Sequence, residues 1–156
     1  MAERALDNPS DEERTMSFRE KSRWAALIID LLIWAWYFNR VAAALPEGPA
    51  DELDFFWLAV GATVATIVIH VGAQVIFAIQ SPREAGAALD ERERAIEQRA
   101  GSAAYTLLAV GLVNVLVASF FGWSKFMTVN GVLAVFVLAE LFRYVYEIAA
   151  YRRAGA

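Results

Sequence analysis

The sequence predicts an all-α integral membrane protein, a four-helix bundle with a short cytosolic helix between spans 2 and 3. Of its 156 residues, 58% are hydrophobic, which exceeds the roughly 45–50% of soluble domains. The hydrophobic residues form four long runs, and most charged residues lie before, between or after these runs. Apolar runs of this length are typical of membrane spans.

Residues 1–23 are predicted to form a disordered and interfacial cytosolic segment ahead of a single membrane domain, residues 24–153. Most of this leader is polar and cannot bury enough apolar surface to fold. Its last part, Met16–Arg23, mixes an aromatic residue with basic ones, as expected of an interfacial lead-in. A secretory signal cleaved near Ala42–Ala44 is the alternative, although Asp30 interrupts its apolar region.

The four apolar runs predict four spans. The first is long enough to extend about 33 Å as a helix, which exceeds the hydrocarbon thickness of a bilayer. Trp24 at one end, and Trp36 and Tyr37 toward the other, suit the aromatic belts at the two membrane surfaces. The predicted spans cover residues 24–45, 55–79, 103–121 and 127–150.

The second run carries polar residues at intervals of three and four, which places them on one helical face. We expect this face to point into the bundle. Gly61 and Ala65 form a pair of small residues that permits close approach of another helix. The polar face consists of Thr63, Thr66, His70 and Gln74.

A charged island separates the second and third runs. The sequence Ser81-Pro82-Arg83-Glu84 has the form of a capping box with proline at the first helical position. It predicts a cytosolic helix over residues 82–99, with a kink at Gly101-Ser102 before the third span. Together with Met16–Arg23, the island is a candidate for binding anionic lipid head groups. The island is also a candidate docking element for a partner protein, through Asp90, Glu91, Arg92, Arg94, Glu97 and Arg99.

The distribution of basic residues predicts the orientation. Cytoplasmic loops are enriched in arginine and lysine. Only Arg40 and Lys125 fall near the opposite ends of the runs. We therefore expect cytoplasmic N- and C-termini and a cytoplasmic island. The basic residues on that side are Arg14, Arg19, Lys21, Arg23, Arg83, Arg92, Arg94, Arg99, Arg152 and Arg153.

Several polar residues fall within the predicted spans, where ionisable groups are costly and usually have partners. Counting residues from the cytosolic ends places His70, Asn114 and Glu140 near the midplane. Asp30 and Arg143 share a level about one turn closer to the cytosol. The candidate ligand or proton site is therefore an intramembrane cluster of Asp30, His70, Gln74, Asn114, Glu140 and Arg143.

This cluster has two interpretations. In the first, Glu140 and His70 form a protonatable pair, as in proton-coupled carriers. In the second, the cluster is structural, and hydrogen bonds together with an ion pair between Asp30 and Arg143 determine which helices pack together.

Composition and motifs argue against an enzyme. The chain contains no cysteine and one histidine, which excludes thiolate sites and leaves no multi-histidine metal site. Phosphate-binding, zinc-protease and nucleophile-elbow motifs do not occur in it. We expect no catalytic residues, no metal site, no cofactor and no nucleic-acid partner.

The chain contains four short motifs, each of which occurs once. They are Ser17-Phe18-Arg19-Glu20-Lys21-Ser22-x-Trp24, Pro82-Arg83-Glu84-Ala85, Asp90-Glu91-Arg92-x-x-x-Ile96-Glu97-x-Arg99-Ala100 and Ala139-Glu140-Leu141-x-Arg143-Tyr144. In these motifs the chain, over residues 17–153, resembles a family of small four-helix bacterial inner-membrane proteins of unknown function. The resemblance implies a multi-pass protein of the bacterial inner (plasma) membrane, and it implies no activity, substrate or cofactor.

The functional expectation is a non-enzymatic interaction, regulatory or assembly subunit in the inner membrane. Its expected partners are the lipid bilayer and either further copies of itself or another membrane protein. The alternative is a small proton-coupled carrier that uses Glu140 and His70.

Overall fold

A computed structural model describes residues 18–45, 52–80 and 90–154 of the chain. These residues form four α-helices, each long and apolar enough to cross a membrane. The fold is therefore all-helical, and its helices indicate a multi-pass membrane protein. The helices are α1 (Phe18–Ala44), α2 (Glu52–Gln80), α3 (Glu91–Phe120) and α4 (Lys125–Ala154).

The separate cytosolic helix predicted over residues 82–99 is not seen. Residues 91–99 form the first turns of α3, which continues through Gly101 and Ser102 without a break. The helix starts here because Asp90 accepts a hydrogen bond from the backbone N–H of Glu93, while the Glu93 carboxylate accepts one from the N–H of Asp90. This capping box satisfies two of the free N–H groups at the start of the helix. The other predicted start, Ser81 to Glu84, lies outside the described residues.

The helices of the first, second and fourth spans extend beyond the predicted bounds. Residues 18–23, assigned to the leader, form the first turns of α1, and α4 continues to Ala154. At ~1.5 Å per residue, helices of this length reach about 40–45 Å and exceed a hydrocarbon core of ~30 Å. The charged first turns of α1 and α3 can therefore lie beyond the apolar part of a bilayer. The predicted disorder of the leader falls on residues 1–17, outside the described residues.

Helix α1 packs against α2 on one side and α4 on the other, and α4 packs against α3. Of the residues in each apolar stretch, 33% are buried in α1 and 22% in α4, compared with 6% in α2 and 11% in α3. The bundle therefore has two central helices, α1 and α4, flanked by α2 and α3. Most side chains of the flanking helices face outward.

Contacts between distant residues establish that α1 and α4 are antiparallel. Arg23 contacts Glu147 at one end, and Tyr37 contacts Asn130 toward the other. Arg23 also contacts Glu97 near the start of α3. The start of α1, the start of α3 and the end of α4 thus lie together, and we call this the Arg23 end of the bundle. The opposite end, which begins α4, is the Lys125 end.

Two apolar clusters form the core. One, toward the Lys125 end, is built from Trp34, Tyr37, Val41, Ala62, Phe126 and Val137. The other, toward the Arg23 end, consists of Leu27, Tyr144 and Ile148. Tyr37, which was expected in an interfacial belt, is 2% exposed because its ring packs edge-on against Trp34 and its hydroxyl bonds to Asn130. Trp36 is exposed, as an interfacial residue would be.

The turn between α3 and α4 depends on one glycine. Gly122 has a φ of 95°, a backbone conformation that side chains with a Cβ rarely adopt. After it, the Ser124 hydroxyl accepts a hydrogen bond from the backbone N–H of Met127 and caps the start of α4. The predicted short turn at residues 122–125 is therefore present, with Lys125 as the first residue of α4.

Helices α3 and α4 lie close together at Gly111. A Cβ placed on Gly111 would lie 2.4 Å from a methyl carbon of Val135, well inside van der Waals contact. The close approach predicted at Gly61 is not seen, because a Cβ there meets nothing within 4 Å. Gly61 lies on the outward face of α2, whereas Gly111 faces α4.

Replacing Gly111 by alanine is expected to lower the free energy of unfolding by about 1–3 kcal/mol, since the new methyl group would overlap the Val135 side chain and force it or the helices to shift. Gly101→Ala is the matched control, because this helical glycine has open space at its Cβ and alanine there should be neutral or stabilising by up to about 1 kcal/mol. Reversible unfolding in mixed micelles measures both. Equal effects would contradict the close packing of α3 on α4.

Candidate functional site

Four of the six intramembrane candidates lie in a polar layer across the bundle. Asp30 of α1 is 5% exposed, and its Oδ1 lies 3.0 Å from Nε2 of His70 on α2. The contact is an ion pair when the imidazole is protonated. Asp30 is buried because it follows Leu27 on the face of α1 that turns toward α2 and α4.

The second pair in this layer lies on α4. Arg143 and Glu140 are one turn apart, and their side chains meet at 3.0 Å. Asp30 interacts electrostatically with both. The ring of Tyr144 is 6.4 Å from the ring of His70, so the layer joins α1, α2 and α4.

The partners differ from those expected. Asp30 was expected to pair with Arg143, and Glu140 with His70. In the structure Asp30 contacts His70, and Glu140 contacts Arg143. The sequence placed His70 about one turn from Asp30, whereas in the structure the two side chains meet at 3.0 Å because α2 packs along α1.

Gln74 and Asn114 do not join the polar layer. Gln74 is exposed on α2, one turn from His70 toward the Arg23 end. Asn114 is exposed on α3 and donates a hydrogen bond to the carbonyl oxygen of Val110 on its own helix. Both residues therefore face the surroundings of the bundle.

The polar layer offers little room for a solute. A gap beside His70, bordered by Gln74 and Phe77, has a volume of about 10 Å³. A single water needs at least about 10–15 Å³. Proton movement within the layer needs no cavity, but binding of a larger substrate does.

A second charged cluster joins three helices at the Arg23 end. Arg23 of α1 lies 3.0 Å from Glu97 of α3 and 2.5 Å from Glu147 of α4. The side chain of Glu147 is 2% exposed and that of Arg23 is 24% exposed. Sequence reasoning missed this cluster, because it assigned Arg23 to the leader, outside the membrane domain. The only signal was that Glu147 shares a helical face with Arg143.

Contacts at the edge of this cluster tie the ends of α1 and α4 together. Arg152 lies 3.2 Å from Glu20, and its guanidinium sits 5.3 Å from the centre of the Trp24 ring. Both contacts are more exposed than the Arg23 cluster and contribute less to stability.

Toward the Lys125 end, a cavity of about 580 Å³ opens between α1, α2 and α4. Phe55, Phe56 and Phe126 supply much of its wall. The Tyr37 hydroxyl, also part of the lining, donates a 2.7 Å hydrogen bond to Asn130. An exposed ion pair between Lys125 and Glu52 borders the mouth. The sequence predicted neither the Tyr37 to Asn130 hydrogen bond nor the cavity, because it does not show which faces of α1 and α4 contact each other.

The docking candidates of the charged island all lie at the start of α3. Asp90 caps the helix, and Glu97 is held by Arg23. The remaining candidates, Glu91, Arg92, Arg94 and Arg99, are exposed. The sequence thus located an accessible charged segment, although Asp90 and Glu97 also support the fold.

Helix α3 exposes polar residues at the start of its apolar stretch and within it. Ser102, Thr106 and Asn114 are all exposed and are spaced by multiples of four, which places them along one ridge of the helix. Val113 beside them is 59% exposed. We call this surface the α3 ridge.

The chain matches no protein-family model, no curated protein and no solved structure. Among the described residues, no group of three or more histidine, cysteine, aspartate or glutamate side chains is placed to hold a metal ion. The geometry of the polar layer, the Arg23 cluster and the α3 ridge therefore carries the functional argument.

Proposed function

We propose that this protein is a non-enzymatic, multi-pass protein of the bacterial inner membrane that acts by association within the bilayer. Its first partner is a second copy of the chain, and the assembly serves as a regulatory or structural subunit. The α3 ridge carries this proposal.

The α3 ridge places hydrogen-bonding groups where a single copy would meet hydrocarbon. An amide side chain has two N–H groups and a carbonyl oxygen, and Asn114 donates one of them to Val110 on its own helix. Lipid tails offer no partners for the rest. Serine and threonine are small enough to allow close approach of membrane helices, and serine, threonine and asparagine side chains form hydrogen bonds between them.

The proposal includes an orientation with the Arg23 end in the cytoplasm. Among the described residues, Arg23, Arg92, Arg99 and Arg153 lie at or near that end. Arginine-rich ends remain on the cytoplasmic side during insertion. The start of α3 would then face the cytoplasm, where its exposed charges are available to a second membrane-protein partner.

Disulfide cross-linking tests the association. Because the chain has no cysteine, Val113→Cys gives a single thiol on the α3 ridge. We expect oxidation in native membranes to link two copies. Adding Asn114→Leu should reduce the linked fraction about threefold or more, as the loss of one hydrogen bond between membrane helices predicts.

The matched control is Val68→Cys, a valine on α2 that is 63% exposed, compared with 59% for Val113. It should give little linked product. Equal cross-linking of both variants, or a linked fraction at Val113 unaffected by Asn114→Leu, would show that the α3 ridge does not mediate association.

A proton-coupled carrier is the second candidate, and the polar layer favours it. Asp30, His70, Glu140 and Arg143 place ionisable groups within the apolar stretches of three helices, and such groups often mark proton pathways. In the structure the acid nearest His70 is Asp30, so the relay would run through Asp30 and His70 as well as Glu140.

A further inference from the structure

A groove of about 700 Å³ runs along the outer surface between α3 and α4 at the Arg23 end. Its volume lies within the roughly 300–1,000 Å³ of small-molecule sites. Its lining combines two chemistries, arginines and apolar residues. The lining residues are Arg92, Ala95, Ile96, Arg99, Phe142, Val145, Tyr146, Ala149, Ala150 and Arg153.

The charged residues known to line the groove are positive. Arg92, Arg99 and Arg153 line it, and among residues 18–45, 52–80 and 90–154 no acidic side chain does. This contrasts with the other side of α3, where Glu97 holds Arg23. Over the first turns of α3, Glu97 therefore faces α1, whereas Arg92 and Arg99 line the groove.

The arginines and the apolar residues lie at different positions along the groove. Because a short turn connects α3 to α4, the two helices are antiparallel, and Arg92 and Arg153 lie at the same end. Arg99 is about 10 Å farther along α3 at the helical rise. Phe142 is about 16 Å from Arg153 along α4, toward the middle of the bundle. The groove thus runs from a basic mouth to an apolar inner part that includes Val145.

We propose that this groove binds an anionic glycerophospholipid. The arginines contact the phosphate and the acidic head group, and one acyl chain lies along Val145 and Phe142 toward the membrane centre. Arginine matches phosphate oxygens in a bidentate geometry. Basic pockets between membrane helices on the cytoplasmic side are suited to anionic lipids. This inference concerns a different surface from the α3 ridge and does not depend on self-association.

Native mass spectrometry in a non-ionic detergent tests the proposal with phosphatidylglycerol and phosphatidylcholine of identical acyl chains. We expect the unaltered chain to retain phosphatidylglycerol preferentially. The variant Arg99→Gln with Arg153→Gln should bind it about thirtyfold more weakly, since each arginine near a membrane surface contributes about a fivefold factor. Glycerol phosphate, which lacks acyl chains, should not compete at equal concentration.

The matched control removes two positive charges at the opposite end of the bundle, with Arg40→Gln and Lys125→Gln. It should bind phosphatidylglycerol like the unaltered chain. Val145→Trp is a second variant that keeps every charge, and its exposed position spares the core. It should weaken binding by filling the apolar part of the groove. Unchanged binding in Arg99→Gln/Arg153→Gln, an equal loss in the control, or full competition by glycerol phosphate would overturn the proposal.

Discussion

Replacing Arg23 by methionine is expected to lower the free energy of unfolding by about 3 kcal/mol. The reason is the buried carboxylate of Glu147, which is 2% exposed and contacts Arg23. Removing one partner of a buried ion pair typically costs about 3–5 kcal/mol, because the other charge is left uncompensated. We take the lower end of this range because the Arg23 side chain remains 24% exposed. Reversible unfolding in mixed micelles, followed by circular dichroism, gives the measurement.

Two variants separate the loss of this ion pair from a general effect of losing an arginine. Arg94→Met makes the same change on the exposed surface of α3 and should change stability by no more than about 0.5 kcal/mol. Arg23→Met combined with Glu147→Leu should recover most of the loss, since a buried pair replaced by apolar residues is often neutral. The single variant Glu147→Leu completes the comparison. If the double variant loses as much unfolding free energy as the two single variants together, Arg23 and Glu147 do not form an energetically coupled pair.

The second large effect is expected at the contact between α1 and α2. His70→Leu leaves Asp30, which is 5% exposed, without the imidazole that lies 3.0 Å from its carboxylate. A buried group that loses its partner costs about 1–3 kcal/mol, and more when it carries a charge, so we expect a loss of about 2–3 kcal/mol. The matched control, Gln74→Leu on the exposed side of α2, should be close to neutral. Replacing Asp30 and His70 together by leucine should restore stability relative to His70→Leu alone.

His70→Leu and a further variant, Glu140→Gln, distinguish the two functional candidates when the protein is reconstituted in liposomes. If the polar layer is structural, the unaltered chain supports no proton flux down a pH gradient, and His70→Leu changes only stability. A flux that depends on the gradient and disappears in Glu140→Gln, with stability unchanged, would favour the carrier over the association that we propose.

The sequence grouped the polar residues by level only to within about one helical turn, and it did not indicate which of them are partners. A helix rises by a fixed distance per residue, so counting from the ends of each apolar run placed His70 and Glu140 near the midplane and Asp30 and Arg143 about one turn closer to the cytosol. Which helices are neighbours depends on packing of whole helical faces. The sequence left this open, and Asp30 was therefore assigned to Arg143 rather than to His70.

The same limit explains the features that the sequence missed. The cluster of Arg23, Glu97 and Glu147 joins three helices that are far apart in the chain. Tyr37 was assigned to the membrane surface because aromatic residues are enriched there, but its position on the face toward α4 buries it. The start of α3 at Asp90 was not predicted, although residues 90–93 have the same capping-box form as residues 81–84.

The arrangement of the four helices across a membrane is the central claim, and single-cysteine labelling in intact bacterial cells tests it most directly. A reagent that cannot cross membranes should label Ser124→Cys, in the turn between α3 and α4, without permeabilisation. It should label Gln98→Cys, in the first turns of α3, only after the membrane is opened. Labelling of both positions from the same side would show that α3 does not cross the membrane between them, and would contradict the four-span arrangement.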